Sequence, residues 1–474
     1  MPRPSSRSIF LLVLVGWSLG WGNVAQLAAE PLMETFQAPP AAREEAASVT
    51  LRDLEQLALT GNPTLRQAAA TLAAARGRAL QAGLYPNPTV GYVGEEIGSG
   101  GAAGEHGIFV SQLIVTGGKL RLSQAAFQQE AVQGQWQALA QQYRVLNGVR
   151  IQFYQVLTMQ RLMEVEEALL LIAEETLRTT EELFNVGQAN RPDVLQAQVQ
   201  VRQQSVALVT ARNRYRAARQ ELAALVGMPE LARVRLEGTL DPPDVPLDWE
   251  TALHHLLEAS PQLHIARADV SRRCFSLQRE LVEPIPNIEM RLSTQYDYET
   301  HRQQAGVEVG LRLPIFNRNQ GNIRTAQADL VRSQAEIERL ELALRKRLAD
   351  VFARYESARN TVHEYRQHIL PETNEAFELY LESFRDRRAP WQQVVMAQQD
   401  FFAANIDYVQ ALNEVRHAEV AILGLLLVDG LEGPPARPAE GAGRMDADRL
   451  HDPMPEPIGR QGRMPGDSAG FGRH

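Results

Sequence analysis

The sequence predicts a mainly α chain with a small β part: two tandem repeats of long coiled-coil helical hairpins, plus four β-strands per chain. Three observations predict it. The first is a tip-like stretch that occurs twice. Phe184-Asn185-Val186-Gly187 leads through Ala189 to Asp193-Val194-Leu195-Gln196-Ala197-Gln198; Phe384 leads through Ala389-Pro390-Trp391 to Gln393-Val394-Val395-Met396-Ala397-Gln398. Phe, Ala, Val, Ala and Gln recur at a constant offset of 200 residues, from 184 to 384. Each copy carries turn residues at its centre, Gly187 and Pro192 in one and Pro390 in the other, between two long helical patterns.

The second observation is the length and period of those patterns. No proline stands between Pro88 and Pro192. From Lys119 to Asn185 apolar residues recur every seven positions, as Val132, Leu139, Leu146 and Phe153, with Trp136, Tyr143 and Leu157 beside them. The second half repeats the device with Leu330, Ile337, Leu344, Val351, Ala358 and Tyr365. A sustained heptad favours a left-handed supercoil, and about 65 helical residues make a rod of roughly 100 Å. Pro371 is expected to kink or break the second long helix.

The third observation is two pairs of extended stretches, 88–97 with 107–115 and 288–298 with 307–313, each placed between a short helical region and a long helix. In the second pair Ile288, Met290, Leu292, Thr294, Tyr296 and Tyr298 share one face, and Glu289, Arg291, Ser293, Gln295 and Asp297 the other. In its partner strand Val307, Val309, Leu311 and Leu313 oppose Glu308 and Arg312. Period two with charge on one side gives one wet and one apolar face. Strands of about ten residues match a tilted span of a bilayer. The first pair alternates less cleanly, because Phe109 and Leu113 lie opposite Val90, Tyr92, Ile108 and Val110.

Four strands cannot close a barrel in lipid, where eight is the usual minimum. An open sheet would leave two rows of unpaired backbone groups in hydrocarbon. If these strands span a membrane, several chains share one barrel, and three chains give twelve strands. On that reading Ile288, Met290, Leu292, Tyr296, Val307, Val309 and Leu311 face lipid, and Glu289, Arg291, Gln295, Glu308 and Arg312 face the pore.

The rest of the chain is read in order. Arg3 and Arg7 precede an apolar run from Ile9 to Val15, and Ala25, Ala28 and Ala29 follow. This is the pattern of a secretory signal peptide, assigned to residues 1–29, and it is too short for a spanning helix. Residues 30–48 read as a flexible lead, 49–229 as the first repeat, 230–247 as a crossover with a short strand near Val234-Arg235-Leu236, 248–430 as the second repeat, and 431–474 as a disordered tail. Each repeat opens with two short helices, divided at Asn62-Pro63 and at Ser260-Pro261. Thr50 and Asp53 have capping-box spacing.

Composition narrows the function. The 474 residues carry a net charge of −9 without a basic block, which argues against nucleic acid as the partner. A single cysteine, Cys274, excludes an intrachain disulfide and a cysteine-based metal site. His254, His255 and His264 lack a spaced set of partner ligands. No nucleophile elbow, phosphate loop or zinc-binding histidine pair is present, so no enzyme activity and no cofactor is expected.

Over residues 50–428 the chain resembles the TolC-like outer-membrane efflux proteins. The tip Phe184-Asn185-Val186-Gly187 with Asp193-Val194-Leu195-Gln196-Ala197 is similar to that family's hairpin signature. Pro86-Asn87-Pro88, Thr116-Gly117-Gly118-Lys119 and the run from Pro314 to Gly321 look most like its CzcC-like branch, which serves heavy-metal efflux. The resemblance implies a homotrimer whose twelve-stranded barrel sits in outer-membrane lipid above a periplasmic helical tunnel. It implies a passive duct that docks on a periplasmic adaptor and receives cargo from an inner-membrane pump.

By the same resemblance the adaptor-docking tips comprise Phe184, Val186, Gly187, Ala189, Asp193, Arg387, Arg388, Ala389 and Trp391, and a candidate tip constriction comprises Asp193, Gln393 and Met396. Some family members place acidic rings where Gln393 and Met396 stand, so cation filtering at the tip is in doubt. Gly187 also suits a helix end, Asp193 a helix start, and Arg387 with Arg388 a solvated tip. The heptads alone also fit a secreted or periplasmic coiled-coil scaffold. Within the duct class, drug efflux and type I protein secretion remain open beside metal export.

Overall fold

The computed structural model describes residues 49–98, 104–233, 236–243 and 245–433. The signal peptide, the flexible lead, most of the glycine-rich link after Gly98, Val234-Arg235 and the tail from residue 434 lie outside the described residues.

Helix α1 (Leu51–Gly61) starts at a capping box. The Thr50 N–H donates to Asp53 Oδ2 (3.0 Å), and the Asp53 N–H donates to Thr50 Oγ1 (3.4 Å). Asn62 closes α1 and opens α2 (Pro63–Gln81): its Oδ1 accepts the Thr64 N–H at 2.9 Å, and Pro63 fills the first turn, where a missing N–H costs nothing. Strands β1 (Thr89–Glu95) and β2 (Glu105–Ile114) follow. Helix α3 (Lys119–Asn185) runs unbroken for 67 residues and returns as α4 (Arg191–Val226). Gly227, at φ 82°, ends α4 in the left-handed conformation that favours glycine.

After a 3₁₀ turn, Pro229–Arg233, the plan starts again. Helices α5 (Trp249–Ala259) and α6 (Pro261–Val282) precede strands β3 (Ile288–Asp297) and β4 (Arg302–Leu311). Then come α7 (Gln320–Glu364), a π turn at Tyr365–Ile369, α8 (Leu370–Arg385) and α9 (Trp391–Leu423). The expected break near Pro371 is therefore a π turn one step upstream. Pro371 lies in the first turn of α8; its ring crowds the carbonyl four residues back, and the ladder widens there instead of ending.

The expected heptad rows are buried in part in both long helices, and the other members are half-buried. Along α7, Leu344 and Ala358 are buried, and Leu348, Tyr355 and Val362 form a second buried row at the same spacing. In α3 the expected Phe153 and Leu157 are buried and Val132, Leu139, Leu146, Trp136 and Tyr143 half-buried, while Val145, Val149 and Val156 join Phe153 in the tightest line. The cause is surroundings. Helix α3 packs against α2, α4, α6 and α9 in turn, so its cover rotates along its length and no single seam holds.

Three apolar clusters hold the helices. One gathers Leu54, Val145, Val149, Phe153 and Val226 in the first repeat; a second gathers Leu256, Leu263, Leu344, Leu348 and Leu412 in the other. The third sits at the hairpin ends. The chain after α9 ties the repeats together: Asn147 Nδ2 donates to the carbonyls of Gly424 (2.9 Å) and Leu427 (2.6 Å), and Gln141 Nε2 to that of Glu432 (2.9 Å).

A polar knot joins α3, α6 and α7. Asp269 Oδ1 accepts Arg272 Nη2 (2.7 Å) and Gln133 Nε2 (3.0 Å), while Arg273 Nη1 reaches Asp329 Oδ2 at 3.1 Å. Burial alone would raise the Asp269 pKa, but Arg272, Gln133 and Arg273 outweigh it and hold the carboxyl below its usual range. Its stabilisation is therefore complete above the unfolded value of about 3.9 and fades as pH falls below it. Asp269→Asn should cost about 1–3 kcal/mol at neutral pH. Thermal melts at pH 7 and pH 3 should show the gap from the parent protein narrowing at the lower pH.

Candidate functional site: an apolar-faced sheet and two matched helical tips

The four strands form one antiparallel sheet in the order β1-β2-β3-β4. Its registers place whole rungs on one face: Val90, Val110, Leu292 and Val307 lie in line, followed by Gln112, Met290 and Val309, then Ile114, Ile288 and Leu311. The poorly alternating first pair therefore continues the apolar face of the second. That face is bare. Val307 is 72 % exposed, and Met290, Leu292, Tyr296, Val309 and Leu311 are also exposed, while Ile288 at the foot is half-buried. Tyr92, His106, Tyr296 and Tyr298 cluster toward the hairpin end, with the Tyr296 and Tyr298 rings at 4.9 Å. Among the described residues no helix packs across the sheet, and none is long and apolar enough to cross a membrane.

The opposite face gathers Glu289, Arg291, Gln295 and Glu308, with Arg291 opposite Glu308. Arg312 falls one residue beyond the end of β4. Phe109 and Leu113 are the apolar residues that pattern alone could not place. The Phe109 ring lies over Gly91, where a Cβ would come within 2.6 Å of it, and the Arg291 guanidinium covers the ring at 4.1 Å from its centroid. An inward aromatic is thus tolerated because a glycine makes room and a cation shields it from water.

The two tips match in their backbone. At the first, the N–H groups of Gly187, Gln188 and Ala189 donate to Phe184 O (3.0 Å), Leu183 O (2.7 Å) and Leu183 O (3.1 Å). At the second, Arg387, Arg388 and Ala389 donate to Phe384 O (3.0 Å), Ser383 O (2.7 Å) and Ser383 O (3.2 Å). Both turns need a left-handed residue. Gly187 supplies it at φ 72°, and Arg387 is held there at φ 61°. Asn190 then caps α4, and the Asp193 carboxylate accepts the Asn190 N–H at 3.0 Å. The Asp193 carboxylate therefore completes a capping box.

Phe184, Val186, Gly187, Arg387 and Arg388 are exposed, and Ala189 and Ala389 half-buried. Trp391, expected on the docking surface, is 4 % exposed. Its ring packs on Phe384 at 5.1 Å, in a core shared with Val394, Val395, Ala197 and Phe377. A large apolar ring at the first turn of α9 is worth more inside the tip than outside it. The stripe Trp391, Val394, Val395 and Gln398, at helical spacing, was the signal for this core. Gln398 is buried and donates to Thr176 Oγ1 at 3.2 Å, which ties α9 to α3. Gln393 and Met396 are exposed and share a groove between α8 and α9 with Glu372, Tyr380 and Asp400. The two carboxylates there were not singled out by sequence, because they come from different helices.

Residues 54–228 and 252–426 match the family described as outer membrane efflux protein. The chain belongs to that family. Among relatives, it is 26 % identical to the cobalt-zinc-cadmium resistance protein CzcC of Cupriavidus metallidurans over 391 residues, covering 82 % of this chain and 92 % of that one. It is 23 % identical to the outer membrane efflux protein BepC of Brucella suis over 367 residues, covering 73 % and 74 %. A crystal structure of CusC, studied for its folding and transmembrane channel formation, superposes with a TM-score of 0.69 at 16 % identity, over 82 % of this chain and 96 % of that one. This outer membrane efflux protein is a transport component and not an enzyme.

The tip geometry makes two measurable claims. Arg387→Gly should stabilise the protein by about 1 kcal/mol by relieving a left-handed arginine. Trp391→Ala should destabilise it by about 3–5 kcal/mol. Thermal melts of the purified protein read both, and an unchanged melt for Trp391→Ala would mean the tip core carries no weight.

Proposed function

We propose that three copies of this chain form the exit duct of a tripartite efflux system. The observation that carries this is the sheet: among the described residues, four strands with a bare apolar face, no covering helix and two unpaired edges. Roughly five outward backbone groups per edge, at several kcal/mol each in hydrocarbon, would cost tens of kcal/mol. A domain's whole stability is about 5–15 kcal/mol. Pairing β4 of one copy with β1 of the next removes both edges, and three copies give twelve strands around a wet lumen lined by the polar face.

The helices then descend from the barrel into the periplasm. The hairpin ends, with Val186, Arg387 and Arg388 exposed, are the surface offered to a periplasmic adaptor. An inner-membrane pump supplies energy; the duct itself needs no cofactor. The likeness to CzcC, named for cobalt, zinc and cadmium resistance, supports divalent metal cations as cargo. The side-chain arrangement at the tip agrees with a conduit more than with a filter, since the Asp193 carboxylate is occupied by its own helix cap.

Two experiments test this. Val307→Arg with Val309→Arg puts two charges per copy on the lipid face, each costing about 2–4 kcal/mol near the midplane. The expected result is loss of heat-labile trimers from outer membranes, while a coiled-coil scaffold would be unaffected. Deleting the gene should raise sensitivity to cobalt, zinc and cadmium on a metal and antibiotic panel. Unaltered metal tolerance with new drug sensitivity would reassign the cargo.

A further inference from the structure

Where the sheet leads into the long helices, the first repeat shows a contact that, among the described residues, the second repeat lacks. β2 enters α3 through Val115-Thr116-Gly117-Gly118. Because Ile114 pairs with Ile288, this junction lies beside the turn Ile285-Pro286-Asn287 that opens β3. Thr116 Oγ1 donates to the Pro286 carbonyl at 2.6 Å. The Thr116 N–H and Lys119 Nζ donate to Asn287 Oδ1 at 3.3 and 3.0 Å, and the Ile285 side chain sits over Gly117. Junction and turn complete each other.

The same two parts occur again, but far apart. The turn Tyr85-Pro86-Asn87 stands 200 residues before Ile285-Pro286-Asn287. β4 enters α7 through a longer junction, Arg312 to Asn319. Within one chain these cannot meet, because β1 and β4 are opposite edges of the sheet. Both are bare. Phe316 is 91 % exposed and Ile315 61 %; Tyr85 is 67 % exposed and Leu84 51 %. Asn87 is exposed, with no side-chain hydrogen bond among the described residues. The junction is nevertheless anchored. The Arg318 N–H donates to Gln320 Oε1 (2.8 Å), the Asn319 N–H to Asn317 Oδ1 (3.0 Å), and Asn319 Nδ2 to the Glu280 carbonyl (2.9 Å). A phenylalanine held into solvent by a fastened loop marks a contact awaiting its other side.

We propose that the Pro314–Asn319 loop of one copy docks on the Tyr85-Pro86-Asn87 turn of a second copy of this chain. The inference rests on the shared-barrel reading, in which β4 of one copy runs antiparallel beside β1 of the next. The end of β4 then lies at the start of β1, as the end of β2 lies at the start of β3 within the chain. Phe316 and Ile315 cover Tyr85 and Leu84. Asn87 Oδ1 accepts a backbone N–H of the loop, as Asn287 accepts that of Thr116. Each copy offers a loop at one edge and a socket at the other, so the contact is head-to-tail and closes only as a ring.

The test uses full-length chains in outer membranes, with Cys274→Ser as background. One chain carries Phe316→Cys and another carries Tyr85→Cys; they are co-expressed and treated with a short bismaleimide. The expected product on a denaturing gel is a covalent dimer from the mixture and none from either chain alone. A chain with both substitutions should give covalent trimer. Heat-labile trimer without any covalent product would overturn the loop contact and leave the shared barrel standing. Monomer alone would overturn both. As a second measure, Phe316→Ala should speed heat dissociation of the trimer roughly tenfold or more, as loss of an aromatic anchor does, with the helix content of the separated chains unaltered. A dissociation rate equal to the parent's would count against the contact.

Discussion

A strand edge in hydrocarbon has nothing to bond to, and this constraint governs the rest of the chain. Helices satisfy their own backbones, so α3 and α7 can be as long as their packing allows. The sheet has no such freedom. β1 and β4 each turn one side away from the chain, and the outer face carries valines, leucines and aromatics that no helix among the described residues covers. Every other feature of the upper half accommodates this: rungs that keep one apolar face across four strands, a glycine under Phe109, and Arg291 over it.

The tips answer a different demand, the reversal of a long hairpin in a few residues. The backbone solution is the same twice, bond for bond, although the side chains have diverged. Where the first tip has Gly187 and the capping Asn190, the second has Arg387 and Pro390. The strain of a left-handed arginine is borne because the turn beneath it is fixed by Phe384, Trp391 and Val394 packing into one core with the first hairpin. Local propensity is overruled by tertiary packing at Arg387, and follows it at Gly187.

Much of this was legible in the residues. Capping at Thr50–Asp53, the Asn62-Pro63 and Ser260-Pro261 joints, the ends of α3, and the faces of β3 and β4 follow from local chemistry and period. The first strand pair was harder, because Phe109 and Leu113 break the alternation and only the register with β3 shows which side is which. Trp391 reads as surface in a turn and is core, since the helices that bury it are distant in sequence. The heptad rows of α3 include Phe153 and Leu157 but miss Val145, Val149 and Val156 for the same reason: burial there depends on which of several partners lies alongside. The cargo is not written in any side chain described above.

The stretch after α9 crosses back to the opening half of the molecule and packs against Val145, Gly148 and Leu225, which belong to helices made hundreds of residues earlier. The flank of the first repeat beside Val145, Gly148 and Leu225 is covered by residues 424–430. The two repeats are thereby clasped into one unit, the last turn of the second serving as the missing wall of the first.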